Sequence, residues 1–291
     1  MIGPIYFKCK SWRRYTTQGA RLSQFQISRL TLDWNFGMQA VILAGGLGTR
    51  LSEETTNQPK PMVQIGDRPI IWHIMKSFGH YGIKDFIICC GYKGYVLKEY
   101  FANYYLHNSD FTIDLKSNST EILSKQNEDW KITLVDTGSD TQTGGRLKRV
   151  GHLISETFVM TYGDGVSNIN LTELLNFHRK HSQEATVTSV QPPSRFGSIQ
   201  IEENVVSMFA EKTQKGASWI NGGFFVLEPS VLSRIAGDHI AWENEPIQSL
   251  VKDKQLVAFK HDGFWRPMDT LRDKVALETA WNNGSAPWKI W

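Results

Sequence analysis

The stretch VILAGGLGTRL, residues 41–51, constrains this chain more than any other, because it joins an unbroken apolar run to a turn containing Gly45, Gly46 and Gly48. Such a pattern reads as a strand ending in backbone bare of side chains, against which a bulky charged group can lie. Strand and helix patterns then alternate along the chain, which predicts an α/β fold with a mainly parallel sheet and crossover helices. The predicted strands are 38–43, 85–90, 131–136, 157–162, 185–190, 205–210, 222–227 and 255–260. Helices are predicted around 70–81, 93–105, 144–154, 170–182, 243–252 and 270–281. The first of these has Pro69 at its first turn and Ile70, Ile71, Ile74 and Phe78 on one apolar side. Residues 105–130 read as a polar, irregular excursion.

At 291 residues and 41% hydrophobic content the chain can bury a full core, and one elaborated domain over 38–291 is expected. Residues 1–37 carry six basic side chains against Asp33 alone, a net +5 that leaves −2 for the rest. This basic leader shows no sustained period before a second methionine, Met38, and reads as an extension outside the fold. The net charge of +3 is too small to argue for nucleic acid or a membrane surface, and no apolar run reaches a membrane span. The chain reads as soluble and cytoplasmic. Cys89 and Cys90 are adjacent in a strand, so they face opposite ways and read as small core residues. His178 and His181 have the spacing of metal ligands but no third ligand nearby, and read as a solvated helix face.

The glycine turn fails two familiar phosphate motifs. Nothing near Gly45 supplies the Gly-Lys-Ser/Thr of a nucleoside-triphosphatase loop, and Leu51 stands where a dinucleotide fingerprint needs its third glycine. Instead Thr49 and Arg50 follow, and ten residues on Lys60 lies between Pro59 and Pro61. Backbone amides could wrap a polyphosphate, Arg50 could clamp its oxygens with a planar fork, and two prolines could hold the Lys60 charge in place. The segment DTQTGGRLKRV offers Thr141, Thr143, Gly144 and Arg146 to an anion or base, or is simply a helix start. Asp164, between Gly163 and Gly165, follows an apolar strand, and Asp269 begins a helix where it could serve as an N-cap.

LAGGLGTRL together with PKPM resembles the signature of the sugar-phosphate nucleotidyltransferases, and the similarity runs through almost all of residues 38–291. The wording VDTGSDTQTGGRL resembles the CTP-using branch, while spacing alone cannot separate cytosine from uracil or thymine. The resemblance implies a Rossmann-like nucleotidyltransferase core with a mixed, mainly parallel sheet and a smaller sugar-side sheet. It implies CTP and glucose 1-phosphate as substrates, Mg²⁺ held by Asp164 and Asp269, and a homo-oligomer, with no nucleic acid or membrane partner. Arg50, Lys60 and Asp164 take the catalytic positions. Substrate contacts fall on Leu43, Ala44, Gly45, Gly46, Leu47, Gly48, Thr49, Arg50, Lys60, Thr141, Thr143, Arg146 and Gly165. The sugar-phosphate side falls on Glu211, Lys212, Asn221, Gly222 and Gly223, with EKT standing where many relatives read EKP. A uridylyl- or thymidylyltransferase is the alternative within the class. A regulatory subunit would have lost one of Arg50, Lys60, Asp164 or Asp269, and all four are present. A glycosyltransferase would show an Asp-x-Asp motif, and Gly163 precedes Asp164 with Val166 two places after.

Overall fold

Every position from Ala40 to Ala44 in the computed structural model is buried, so this strand must be covered on both faces. The structure describes residues 37–124, 128–191, 198–202, 205–210 and 218–291. Seven strands form the central sheet: β1 (Gln39–Ala44), β2 (Asp85–Cys90), β3 (Lys131–Asp136), β4 (Phe158–Tyr162), β5 (Ala185–Val190), β6 (Ile220–Leu227) and β7 (Leu256–His261). Their order is β7-β5-β6-β4-β1-β2-β3. Strands β1, β2, β3 and β4 pair in parallel, as do β5 and β7, while β6 runs antiparallel to both β5 and β4. The expected mixed, mainly parallel sheet is therefore what forms, and smaller antiparallel pairs accompany it, including 198–202 with 205–210.

Two apolar layers cover the sheet. Ala40, Ile42, Ala44, Phe86, Ile88 and Cys90 face helix α1 (Ile70–His80), whose Ile70, Ile71, Ile74 and Phe78 are buried against them. Val41, Leu43, Ile87, Cys89 and Met160 face the other way, toward Leu147 and Val150 of helix α2 (Thr143–Val150) and toward Trp242. Cys89 and Cys90 thus lie in opposite layers, as strand alternation requires, and burial pushes both thiols up, Cys90 to about 11. Pro69 is the extended N-cap of α1 rather than part of its first turn.

From β1 the chain steps outward to β2 and β3, then returns on the other side of β1 to lay down β4. This reversal opens a crevice above the carboxyl ends of β1 and β4, where ligands of open α/β sheets bind. Because β6 is antiparallel, its amino end with Asn221 and Gly222 reaches the same edge.

Local structure also differs from the sequence reading, or decides between its alternatives, at three further places. The excursion after residue 105 contains an exposed hairpin, Phe111–Asp114 paired with Ser119–Ile122. His178 is buried rather than solvated: its ring meets the Thr186 hydroxyl at 2.8 Å and Glu228 at 3.1 Å, and His181 reaches the same hydroxyl. Burial lowers the pKa of both rings. The helix after Asp269, α3 (Leu271–Asn282), is capped by Thr270, whose hydroxyl accepts from the Asp273 amide while the Asp273 carboxylate accepts from the Thr270 amide. Asp269 is therefore free of capping duty. The extension read over residues 1–37 lies outside the described residues except for Gly37.

Replacing Thr270 with alanine removes half of this reciprocal cap and is expected to cost about 1 kcal/mol. The measurement is the urea midpoint at unchanged slope, and an unmoved midpoint would show that the cap contributes nothing.

Candidate active site

The three glycines of the turn after β1 answer three different demands. A Cβ on Gly45 would fall 2.2 Å from the guanidinium of Arg146, so Gly45 is required by packing. Gly48 sits at φ 67°, ψ 26°, the left-handed conformation that starts the short turn Thr49–Leu51. A Cβ on Gly46 would meet nothing within 4 Å, and this glycine alone leaves bare backbone open on the loop. The Thr55 hydroxyl holds the turn from behind, 2.9 Å from the Leu51 carbonyl and 3.1 Å from that of Gly48.

Arg146 lies on α2 under the loop and is only 4% exposed. Its guanidinium donates to the Gly45 carbonyl at 3.0 Å, the Cys90 carbonyl at 3.3 Å, the Thr137 hydroxyl at 2.8 Å, the Gly138 carbonyl at 2.7 Å and the Ser139 carbonyl at 3.2 Å. These acceptors lie at the ends of β1, β2 and β3 or just beyond them, so one side chain gathers the carboxyl ends of three adjacent strands. Gly91 is obliged as Gly45 is, since its Cβ would stand 2.3 Å from Arg146. Burial lowers the pKa of Arg146 from the ordinary arginine value. The sequence reading offered this guanidinium to a ligand, whereas in the structure it borders the cavity while holding the loop.

Lys60 opens the turn Lys60–Met62, and Pro59 enters it in extended conformation, so the two prolines aim the lysine inward. Its Nζ lies 2.6 Å from Asp164 Oδ2 and 2.7 Å from Asp269 Oδ1, while Arg50 donates to the other oxygen of Asp269 at 2.7 Å. Two features bring these distant residues together. Gly163 admits Pro61, which a Cβ there would meet at 2.9 Å. The short strand Gly165–Ser167 pairs antiparallel with Trp265–Pro267, and the Met268 amide donates to the Asp164 carbonyl at 2.8 Å. Burial by itself lowers the pKa of the Lys60 ammonium, but the charges and hydrogen bonds of Asp164 and Asp269 outweigh it and the net shift is upward. Lys60 is 9% exposed at its side chain and Arg50 73%, so the lysine is enclosed by the protein while the arginine faces solvent and is tied at its tip to Asp269.

A cavity of about 330 Å³ opens above this cluster. Of the residues singled out in the sequence, Leu43, Ala44, Gly45, Gly46, Gly48, Thr49, Arg50, Lys60, Thr141, Thr143, Arg146 and Asp164 line it. Leu47 stands exposed on the loop, and Asp269 meets the site through Lys60 and Arg50. Gly165 begins the short strand that positions Asp269. Asn221 accepts from the Gly223 amide at 2.8 Å, and the Gly222 carbonyl accepts from the Trp265 indole at 2.6 Å. Glu211 and Lys212 lie outside the described residues. The wall also includes Pro61, Gln142, Tyr162 and Gly163, which the sequence did not mark as contacts. Tyr162 had a visible signal, a hydroxyl-bearing aromatic immediately before Gly163-Asp164.

The carboxylates of Asp164 and Asp269 converge on one cationic nitrogen, which is the behaviour of a donor pair able to hold a small hard cation. Among the described residues no group of three or more His, Cys, Asp or Glu side chains could hold a metal. A cation at this pair would thus take its remaining oxygens from substrate and water.

Comparison with known proteins places the chain among relatives. The Nucleotidyl transferase family model matches residues 39–273. Glucose-1-phosphate cytidylyltransferases of Salmonella typhi and Salmonella typhimurium are each 56% identical to this chain over 256 residues, 87% of this chain and 100% of theirs. The crystal structure of HddC from Yersinia pseudotuberculosis is similar in fold, with a TM-score of 0.61 at 21% identity over 84% of this chain and 99% of that one.

Two outcomes test the geometry. Gly45→Ala should lose about 1–3 kcal/mol by overpacking against Arg146, while Gly46→Ala should stay within about 0.5 kcal/mol of the parent; equal effects would show that Arg146 does not dictate the loop. A lysine with a raised pKa stabilises fully below its ordinary value of 10.5, and that contribution is lost as pH rises through the folded value. The stability gap between the parent and Lys60→Met should therefore be constant up to about pH 10 and narrow above it. A gap independent of pH to the alkaline limit would contradict the pairing.

Proposed function

The chain belongs to the nucleotidyl transferase family, and from that premise we propose that it transfers a cytidylyl group from CTP to α-D-glucose 1-phosphate, releasing pyrophosphate and CDP-glucose. The 56% identity to cytidylyltransferases over their full length supports the reaction and the base. The observation that carries the residue roles is the convergence of Lys60, Asp164, Asp269 and Arg50 beside the glycine loop at 2.6–2.7 Å.

The reacting groups need no activation by a base. A phosphate monoester has a second pKa of about 6, so a sugar 1-phosphate is largely dianionic at neutral pH and is already a nucleophile. Its oxygen attacks the α-phosphorus in line, the P–O bond to the β-phosphate breaks, and pyrophosphate leaves with the electron pair. No covalent enzyme intermediate is required. The obstacle is repulsion between anions, and the protein supplies the countercharge and the alignment. Lys60, buried and held by its prolines, places a fixed positive charge at the α-phosphate. Arg50 is exposed and follows the triphosphate and the departing pyrophosphate with its planar fork. The bare backbone at Gly46 lets the triphosphate lie against the loop.

Asp164 and Asp269 would hold Mg²⁺. The chemistry that ion supplies when bound is charge neutralisation and polarisation of phosphoryl oxygens. Residues 38–291 form the nucleotidyltransferase domain in this reading, with 1–37 outside it; the family match beginning at residue 39 supports the first boundary. A cytoplasmic homo-oligomer is the assembly we expect, and among the described residues no helix is long and apolar enough to cross a membrane.

The test is pyrophosphate release with glucose 1-phosphate and Mg²⁺, run in parallel with CTP, UTP, dTTP and ATP. Release should be fastest with CTP, absent in Asp164→Ala, and reduced about 100-fold or more in kcat by Lys60→Met. A faster rate with another nucleotide would overturn the base assignment while keeping the mechanism.

A further inference from the structure

Glu243 lies outside every motif considered above, yet it joins two walls of the cavity. Tyr162 ends β4 two residues before Asp164 and lines the cavity, and its hydroxyl donates to Glu243 Oε1. The other carboxylate oxygen accepts from Thr143 Oγ1 at 2.6 Å, and Thr143 in turn accepts from the Trp242 amide at 2.8 Å. Thr143 begins α2, the helix that carries Arg146. One carboxylate thus ties the strand leading to Asp164 to the segment Thr141–Arg146 on the loop side.

The ring of Tyr162 is placed with equal care. Gly223, at φ +81°, lies so close that a Cβ would stand 2.6 Å from the ring, and Phe225 meets it edge-on. Glu243 itself is exposed. Hydrogen bonds to an exposed carboxylate contribute little to folding, so such a linkage is poorly explained as a stability device.

We propose that Glu243 is a positioning residue, which holds Tyr162 and Thr143 in register so that the sugar-phosphate and nucleotide sides of the cavity keep one spacing. The proposal rests on the nucleotidyl-transfer reading, in which both substrates must occupy the cavity together. A loss of register weakens the capture of both substrates, while the charges at Lys60 and Asp164 that act on the reacting phosphates stay in place.

The experiment is steady-state kinetics with whichever nucleotide the wild-type enzyme prefers. Glu243→Ala should raise KM for the nucleotide and for glucose 1-phosphate about tenfold each, with kcat changed less than threefold and the urea midpoint unmoved. Glu243→Gln, which can accept from one hydroxyl and donate to the other, should return both KM values to within threefold of wild type. Tyr162→Phe should match Glu243→Ala, and the double variant should be no worse than either single one. Unchanged KM values, a change confined to one substrate, or additive effects in the double variant would overturn the role of Glu243. A wild-type enzyme inert with every nucleotide would instead overturn the reading beneath it.

Discussion

The guanidinium of Arg146 is the contact on which the rest of the site depends. Three parallel strands end side by side, and their carboxyl ends crowd several carbonyl oxygens into one small space. One buried cation with donors in a fixed fork satisfies the carbonyls at the ends of β1, β2 and β3 or just beyond them together. Its bulk then dictates its neighbours: Gly45 and Gly91 lack side chains because the guanidinium fills the space where a Cβ would be. The glycine loop is consequently set by a charge beneath it as well as by whatever lies above it.

A second constraint is electrostatic. Burying the Lys60 ammonium is costly alone, and it is tolerated because two carboxylates reach it at hydrogen-bond distance. With Arg50 the cluster holds two positive and two negative groups. Such a balanced arrangement stores no large excess charge, and it can exchange partners when phosphates and a divalent cation arrive without leaving an unpaired charge buried.

Much of this architecture was legible beforehand, and the reasons are local. Strands 85–90, 131–136 and 185–190 match their predicted bounds at both ends, and for 85–90 the reason is burial, since a strand covered on both faces shows as a compact apolar block. Lys60 could be singled out because two prolines and a glycine loop nearby leave few uses for it. His178 was misread because its partners, Thr186 and Glu228, come from elements the helix period does not reveal. Asp269 could equally have been a helix cap until Thr270 and Asp273 were seen to cap that helix themselves. Tyr162 and Glu243 escaped notice because their hydrogen bond spans 81 residues and neither lies in a periodic pattern that marks a site.

What the sequence determined by itself is the chemistry available: an apolar-to-glycine transition that must be a strand and a turn, a proline-framed lysine, and two aspartates beside aromatic or apolar runs. These follow from backbone geometry and side-chain type, which act over a few residues. Only the tertiary structure decided which of those groups meet. The return of β4 beside β1 and the pairing of 165–167 with 265–267 set Asp164 and Asp269 against one ammonium across more than a hundred residues of chain. That convergence comes from strand order and register, which depend on packing two apolar layers at once and cannot be read from spacing along the chain.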